Sequence, residues 1–161
     1  MREYVVGADN VTLLSGPQTL VFINPDPTRS LKIRRVWVGY SHDATPAMQR
    51  VQLVTQQAPF PTLVASSPAR VNQKDDPSLI IAATSGAAGT AGIAASSEGA
   101  GAKSVILSDV FNTSAGWRWD PGDDLAIVMQ AGGGLGFGLY FPAPPATLQG
   151  WSFGVLYREL P

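Results

Sequence analysis

Apolar and polar positions alternate with a period of two along most of the chain, the spacing of extended backbone whose successive side chains face opposite sides. Tyr4 to Val6 and Val11 to Leu14 are short β-prone pieces parted by Gly7-Ala8-Asp9-Asn10. Thr19 to Asn24 is a strand closed by Pro25-Asp26-Pro27, because closely spaced prolines remove ladder donors. Ser30 to Tyr40 is the longest strand candidate, and its parity changes midway. Leu31 and Ile33 share one face, whereas Val36, Val38 and Tyr40 have the opposite parity. One extra residue near Arg34-Arg35 reconciles the two sets, so a β-bulge is predicted there, with Trp37 pointing away from the apolar row.

Arg50 to Gln56 alternates with Val51 and Leu53 on one side and polar residues on the other, as a strand with one wet face does. Ala58 to Pro77 is rich in Pro, Ser and Gln and reads as a long connection with a short extended piece at Thr62-Leu63-Val64. Leu79-Ile80-Ile81 is brief and apolar, and Ser104 to Phe111 is a further strand. In Gly116-Trp117-Arg118-Trp119-Asp120-Pro121-Gly122-Asp123 both indoles share a face, and Asp-Pro-Gly-Asp has the chemistry of a reverse turn into Leu125 to Gln130. This strand, turn and strand predicts a sandwich edge. Ala131 to Gly134 is expected to make a hairpin connection to Leu135 to Phe141, Pro142 to Pro145 breaks that strand, and Trp151, Phe153, Val155 and Tyr157 form the last alternating row.

Between Ala82 and Ala102 every residue except Ile93 and Glu98 is Ala, Gly, Ser or Thr. Such a segment has no apolar period and cannot by itself bury enough surface to offset its ordering entropy. Since the strands that follow are needed to complete the sheets begun before it, the segment (82–103) is an excursion from one domain spanning 1–161. It is expected to be either mobile or ordered against another subunit, where small side chains let backbones approach. About eight strands, no helical segment and a long mid-chain excursion predict an all-β fold, a two-sheet jelly-roll-like β-sandwich.

Composition changes this picture in one respect. Charged residues are 14% of the 161-residue chain and the formal net charge is −1, against roughly 25% charged in an ordinary soluble domain. So few charges suit a surface partly covered by other subunits better than the competing reading, a compact monomer with a Ser/Thr/Gln-rich surface. There is no cysteine and hence no disulfide, which leaves the redox compartment open. The Met1 to Gly7 stretch has no signal-peptide core, and no run approaches the roughly 18 apolar residues of a membrane helix, so synthesis in the cytoplasm and no membrane partner are expected.

Candidate chemistry is thin. His42, the only histidine, lies in Ser41-His42-Asp43, whose neighbours point apart on extended backbone and so form no triad; it reads as a turn histidine. One histidine and no cysteine leave no transition-metal set. Asp120, Asp123 and Asp124, or Asp75 and Asp76, offer hard-cation oxygens without a calcium-loop spacing and read as turn residues. Gly132-Gly133-Gly134 lacks the ending of a phosphate loop. Arg29, Lys32, Arg34 and Arg35 cluster near one strand without interleaved aromatics, which suits intersubunit salt bridges or a solvated strand edge better than nucleic acid. No catalytic residue, cofactor or metal is expected. Trp117, Trp119 and Trp151 would stack on sugars if exposed in a row; core or interface is the commoner fate of such residues.

Gln49-Arg50-Val51-Gln52-Leu53-Val54-Thr55-Gln56, the following Phe60-Pro61-Thr62-Leu63, the Gly/Ala-rich excursion and Gly116-Trp117-x-Trp119 together resemble small uncharacterised proteins associated with tailed bacteriophages, of the virion structural kind. The resemblance covers most of the chain and carries no catalytic residue. It implies a capsid-associated or decoration protein located in the virion, a homo-oligomer and by analogy a trimer, with the major capsid protein or other virion proteins as partners. Arg34, Arg35, Trp37, Ile93, Trp117 and Trp119 are the side chains expected at interfaces. The alternative is a carbohydrate-binding β-sandwich module, and an enzyme ranks below both.

Overall fold

A computed structural model describes residues 2–41 and 45–161; His42 lies outside them. Among the described residues the chain is all-β, and it has thirteen strands where about eight were expected. In order they are β1 (Glu3–Val11), β2 (Gln18–Ile23), β3 (Leu31–Tyr40), β4 (Met48–Gln56), β5 (Thr62–Ala65), β6 (Ala69–Arg70), β7 (Ile81–Ala82), β8 (Thr90–Ser97), β9 (Lys103–Asn112), β10 (Trp117–Trp119), β11 (Ile127–Met129), β12 (Gly136–Phe141) and β13 (Trp151–Glu159). The surplus comes from two- to four-residue strands such as β6 and β7 in the connections, too short to show a period.

Two sheets pack face to face. The first runs β10-β3-β13-β1-β6, with β11 also on β3; the second runs β5-β8-β2-β12-β4-β9, with β7 on β8. All pairs are antiparallel except β7 with β8. The first four strands alternate between the sheets, so their connections cross the sandwich. Val36, Val38, Phe153, Val155 and Tyr157 from one sheet meet Val21, Ile23, Val51, Leu53, Phe137 and Leu139 from the other in one buried core. Opposite parities along neighbouring strands put these side chains inside and their neighbours outside.

The predicted bulge is present. Leu156 faces Arg35 and Tyr157 faces Ile33, which leaves Arg34 as the extra residue on β3 and turns both Ile33 and Val36 inward. β3 is an interior strand, however, flanked by β13 on one side and β10 and β11 on the other, so the arginines do not line a free edge. The Gly132 region also departs from expectation: β11 and β12 belong to different sheets, and the segment between them crosses the sandwich instead of closing a hairpin. Likewise β10 and β11 do not pair with each other. Both run along the same side of β3, opposite Val36–Val38 and Leu31–Ile33 respectively, and the Asp120-Pro121-Gly122-Asp123 segment loops out between them with Gly122 at φ 75°.

The Gly/Ala-rich excursion is a strand of the sandwich. β8 lies between β2 and β5, with Ile93 opposite both Val21 and Val64. Small side chains do admit close backbones, as expected, but the partner is the same chain. A Cβ on Gly92 would stand 2.6 Å from the Leu63 Cβ, and one on Gly101 only 1.7 Å from the Gln57 carbonyl oxygen. Side chains from outside the segment supply the anchoring that its own composition lacks. Gln18 Nε2 donates to the Ala95 carbonyl at 2.9 Å and Gln56 Nε2 to that of Glu98 at 2.7 Å. The Glu98 carboxylate accepts both the backbone N–H and the hydroxyl of Thr19 at 2.6 Å and pairs with Lys103 at 3.2 Å. A second small cluster of Phe22, Leu63 and Ala95, with Phe60 against it, covers the outer face of β2, so all six β2 residues are buried.

Candidate functional site

β9 has ten residues, forms the end of its sheet, and among the described residues pairs on one side only, with β4. The other terminal strands are far shorter: two residues in β6, three each in β10 and β11, four in β5. A long unpaired edge presents a row of free N–H and C=O groups, and folded proteins ordinarily shorten, bend or cover such edges. Here the edge also carries exposed apolar side chains, Val105 (53% exposed), Ile106 and Val110. Its pairing with β4 slips a register between Leu53 and Val54, which leaves Ile106 as a bulge residue on the rim of the sandwich.

The β10 and β11 edge of the other sheet lies alongside. Trp117 on β10 donates its indole N–H to Asp109 of β9 at 3.0 Å, bridging the two sheets at this flank. Ile106, Ile127, Val128, Met129 and Leu135 line a largely apolar cavity of about 480 Å³ between β9 and β11. Val128 and Leu135 are exposed, and Leu125, in the loop between β10 and β11, is 75% exposed. The flank is therefore an apolar strip running across both sheet edges.

The six expected interface residues are not gathered on this strip. Trp117 and Trp119 pair with Val38 and Val36 and pack half-buried against the core just beneath it. Ile93 packs half-buried against the core from β8. Arg34 pairs with Asp123, which also takes Lys32 at 3.2 Å, and Arg35 and Arg118 both reach Asp120, at 3.0 and 2.6 Å. These cations are thus matched within the chain, where they tie β3 to the loop after β10. Trp37 does point outward as predicted, half-buried on the outer face of the first sheet. Trp151 is only 1% exposed, so Trp117, Trp119 and Trp151 form no exposed row. Among the described residues no three His, Cys, Asp or Glu side chains group to hold a metal ion. The signal missed in the sequence was β9: its alternation resembles that of an interior strand, and only the sheet order reveals that it has one neighbour.

The Trp117 contact carries a pH signature. The indole N–H, and after it the Val110 backbone N–H, hold the Asp109 carboxyl below the usual carboxylate range. A depressed folded value means that the contact is present above the ordinary carboxylate pKa and is lost as pH falls through the folded one. The Trp117 indole N–H resonance is expected to titrate with a midpoint below about 3.9, and the transition should vanish in Asp109→Asn. A midpoint at or above the ordinary value would contradict the bond.

No family model, no curated protein and no solved structure matches this chain.

Proposed function

We propose that this protein is a non-enzymatic structural protein that works by assembling with further copies of itself, burying the β9 flank between subunits. The observation that carries the reading is the ten-residue unpaired edge of β9 with the apolar strip beside it. Backbone groups on such an edge gain partners by strand addition, and the apolar strip adds burial; together they supply both driving force and register. The low charge content of the chain agrees, since interface centres are depleted of charge. The resemblance to small phage proteins supplies the setting: a capsid-associated or decoration-type component of a virion, forming a closed homo-oligomer, by analogy a trimer, and reinforcing a shell through contact area without turnover.

The test is solution mass by light scattering across a concentration series, for the parent protein and for Ile106→Lys/Val128→Lys. Both positions are exposed in the single chain, so the double variant is expected to keep its melting temperature within a few degrees. The parent should form one closed species and the variant should be monomeric. A parent that is monomeric at every concentration, or a variant that keeps the parent's mass, would overturn the reading.

A further inference from the structure

The outer face of the first sheet contains a hollow that the assembly reading does not use. Register brings Trp37 of β3, Gly154 of β13 and Gly7 of β1 into one row across the sheet. A sheet face ordinarily carries a side chain at every such position. Here two successive positions are bare, and the indole lies over the first: a Cβ on Gly154 would fall 2.2 Å from Trp37 Cζ2. What remains is an open trough of about 450 Å³ with Trp37 on one side and Ser67 and Ala69 on the other. That volume falls within the roughly 300–1,000 Å³ of small-ligand sites.

One end of the trough is polar, and the backbone is bent to make it so. The β1 to β13 register slips between Ala8 and Val11, and Asn10 adopts a left-handed φ of 53°. Bulges of this kind re-aim a side chain, and this one brings Asp9 to the trough beside Ser152. Ser152 donates its hydroxyl to Asp9 Oδ1 and accepts the Asn10 N–H at 3.4 Å. Asp9 Oδ2 accepts no hydrogen bond among the described residues, and Asp9 and Ser67 are exposed.

From this geometry we infer that the Trp37 trough is a binding site for a short neutral oligosaccharide. A pyranose ring has an apolar C–H face and an equatorial belt of hydroxyls. The indole offers the flat apolar surface for the first, and the free Asp9 oxygen with the two serine hydroxyls meets the second. Among the described residues Asp9 is the sole formal charge lining the trough, so it disfavours acidic sugars, nucleic acid and other anions. The bare glycine floor lets the sugar sit beside the indole instead of above a side chain. The site lies on the sheet face, with the Trp37 ring directed toward β13 and away from β10, so it is separate from the β9 flank.

The experiment follows the four indole N–H resonances by NMR while cellobiose, maltose, lactose and N,N′-diacetylchitobiose are added in turn. Trp37→Phe assigns its own signal. At least one disaccharide is expected to shift Trp37 saturably and leave buried Trp151 in place. Trp37→Ala should weaken that binding by roughly tenfold or more. Asp9→Asn, which leaves the indole platform intact, should weaken it several-fold, with solution mass and melting temperature unchanged. Ile106→Lys/Val128→Lys should bind as the parent does, so loss of assembly and loss of sugar binding are read independently. If none of the four disaccharides moves Trp37, or if binding survives Trp37→Ala and Asp9→Asn, the inference is overturned. A change of solution mass in Trp37→Ala would overturn it too, making the indole a subunit contact.

Discussion

Trp151→Ala is expected to lower stability by about 3–5 kcal/mol, the cost of deleting a large aromatic from a site that cannot collapse around the space. Trp151 opens β13 and closes one end of the sandwich. Its ring meets Phe141 and Phe111 edge-on, with centroids 5.3 and 6.4 Å apart, and lies 4.8 Å from Tyr40. Its indole N–H donates to the Thr147 carbonyl at 2.8 Å, which fixes the loop entering β13. These partners come from β3, β9, β12 and the loop before β13, so one truncation loosens three strands together with the start of β13 itself. For a chain of this length such a loss corresponds to a fall of roughly 10 °C in melting temperature. Urea unfolding should show a lower midpoint at unchanged slope. Trp151→Phe, which keeps most of the ring contact, should lose less than half as much. A loss below about 1 kcal/mol for the alanine variant would be hard to reconcile with a close-packed end.

Gly101→Ala is expected to be the other severe change, at about 3 kcal/mol, although it adds a single methyl group to a half-buried loop position. The added Cβ would stand 1.7 Å from the Gln57 carbonyl oxygen and 2.6 Å from that of Pro59. Both are backbone atoms, so no rotamer change relieves the clash. The bonds from Gly101 N–H to the Pro59 carbonyl and from Gln57 N–H to the Ala102 carbonyl, at 2.9 and 3.1 Å, would have to open. Ala100→Ser, one residue earlier, should be nearly neutral, and the contrast is the control. Hydrogen exchange would locate the damage: amides of β8 should exchange faster in Gly101→Ala while those of β13 keep most of their protection. Equal stability of the two variants would mean that the Gly/Ala-rich segment is not held as described.

That segment also marks the limit of what the sequence conveyed. Where a strand faces water on one side and the core on the other, period two suffices, and β3 shows this down to the extra residue at Arg34. β8 lacks that signature because its order comes from elsewhere. Gln18, Gln56 and Thr19 belong to strands distant in the sequence, and only after pairing do they meet Ala95 and Glu98. A composition rule read along the chain sees entropy to be lost and misses these partners. The tryptophans divide in the same way. That Trp117 and Trp119 share a face follows from their spacing, whereas which face they take depends on β10 pairing with Val36–Val38. The two surfaces proposed to carry function were the least legible. The β9 edge is defined by a neighbour it does not have, and the Trp37 trough by the absence of side chains at two glycines 147 positions apart, joined by the β1 to β13 register.

That register, Glu3 opposite Arg158 through Gly7 opposite Gly154, also bears on how the protein is made. β13 separates β1 from β3 in the first sheet, so neither of these early strands can find its place until the last one is synthesised. Emerging from the ribosome, the chain must leave one edge of β1 and one edge of β3 unpaired until Trp151 to Glu159 is released. Completion of the first sheet is then set by a loop closure over nearly all of these residues, in the slow regime of sheet proteins dominated by non-local pairing. A polypeptide stalled before β13 would expose two strand edges destined for the middle of a sheet, and such nascent chains are where chaperone engagement or aggregation is expected to concentrate.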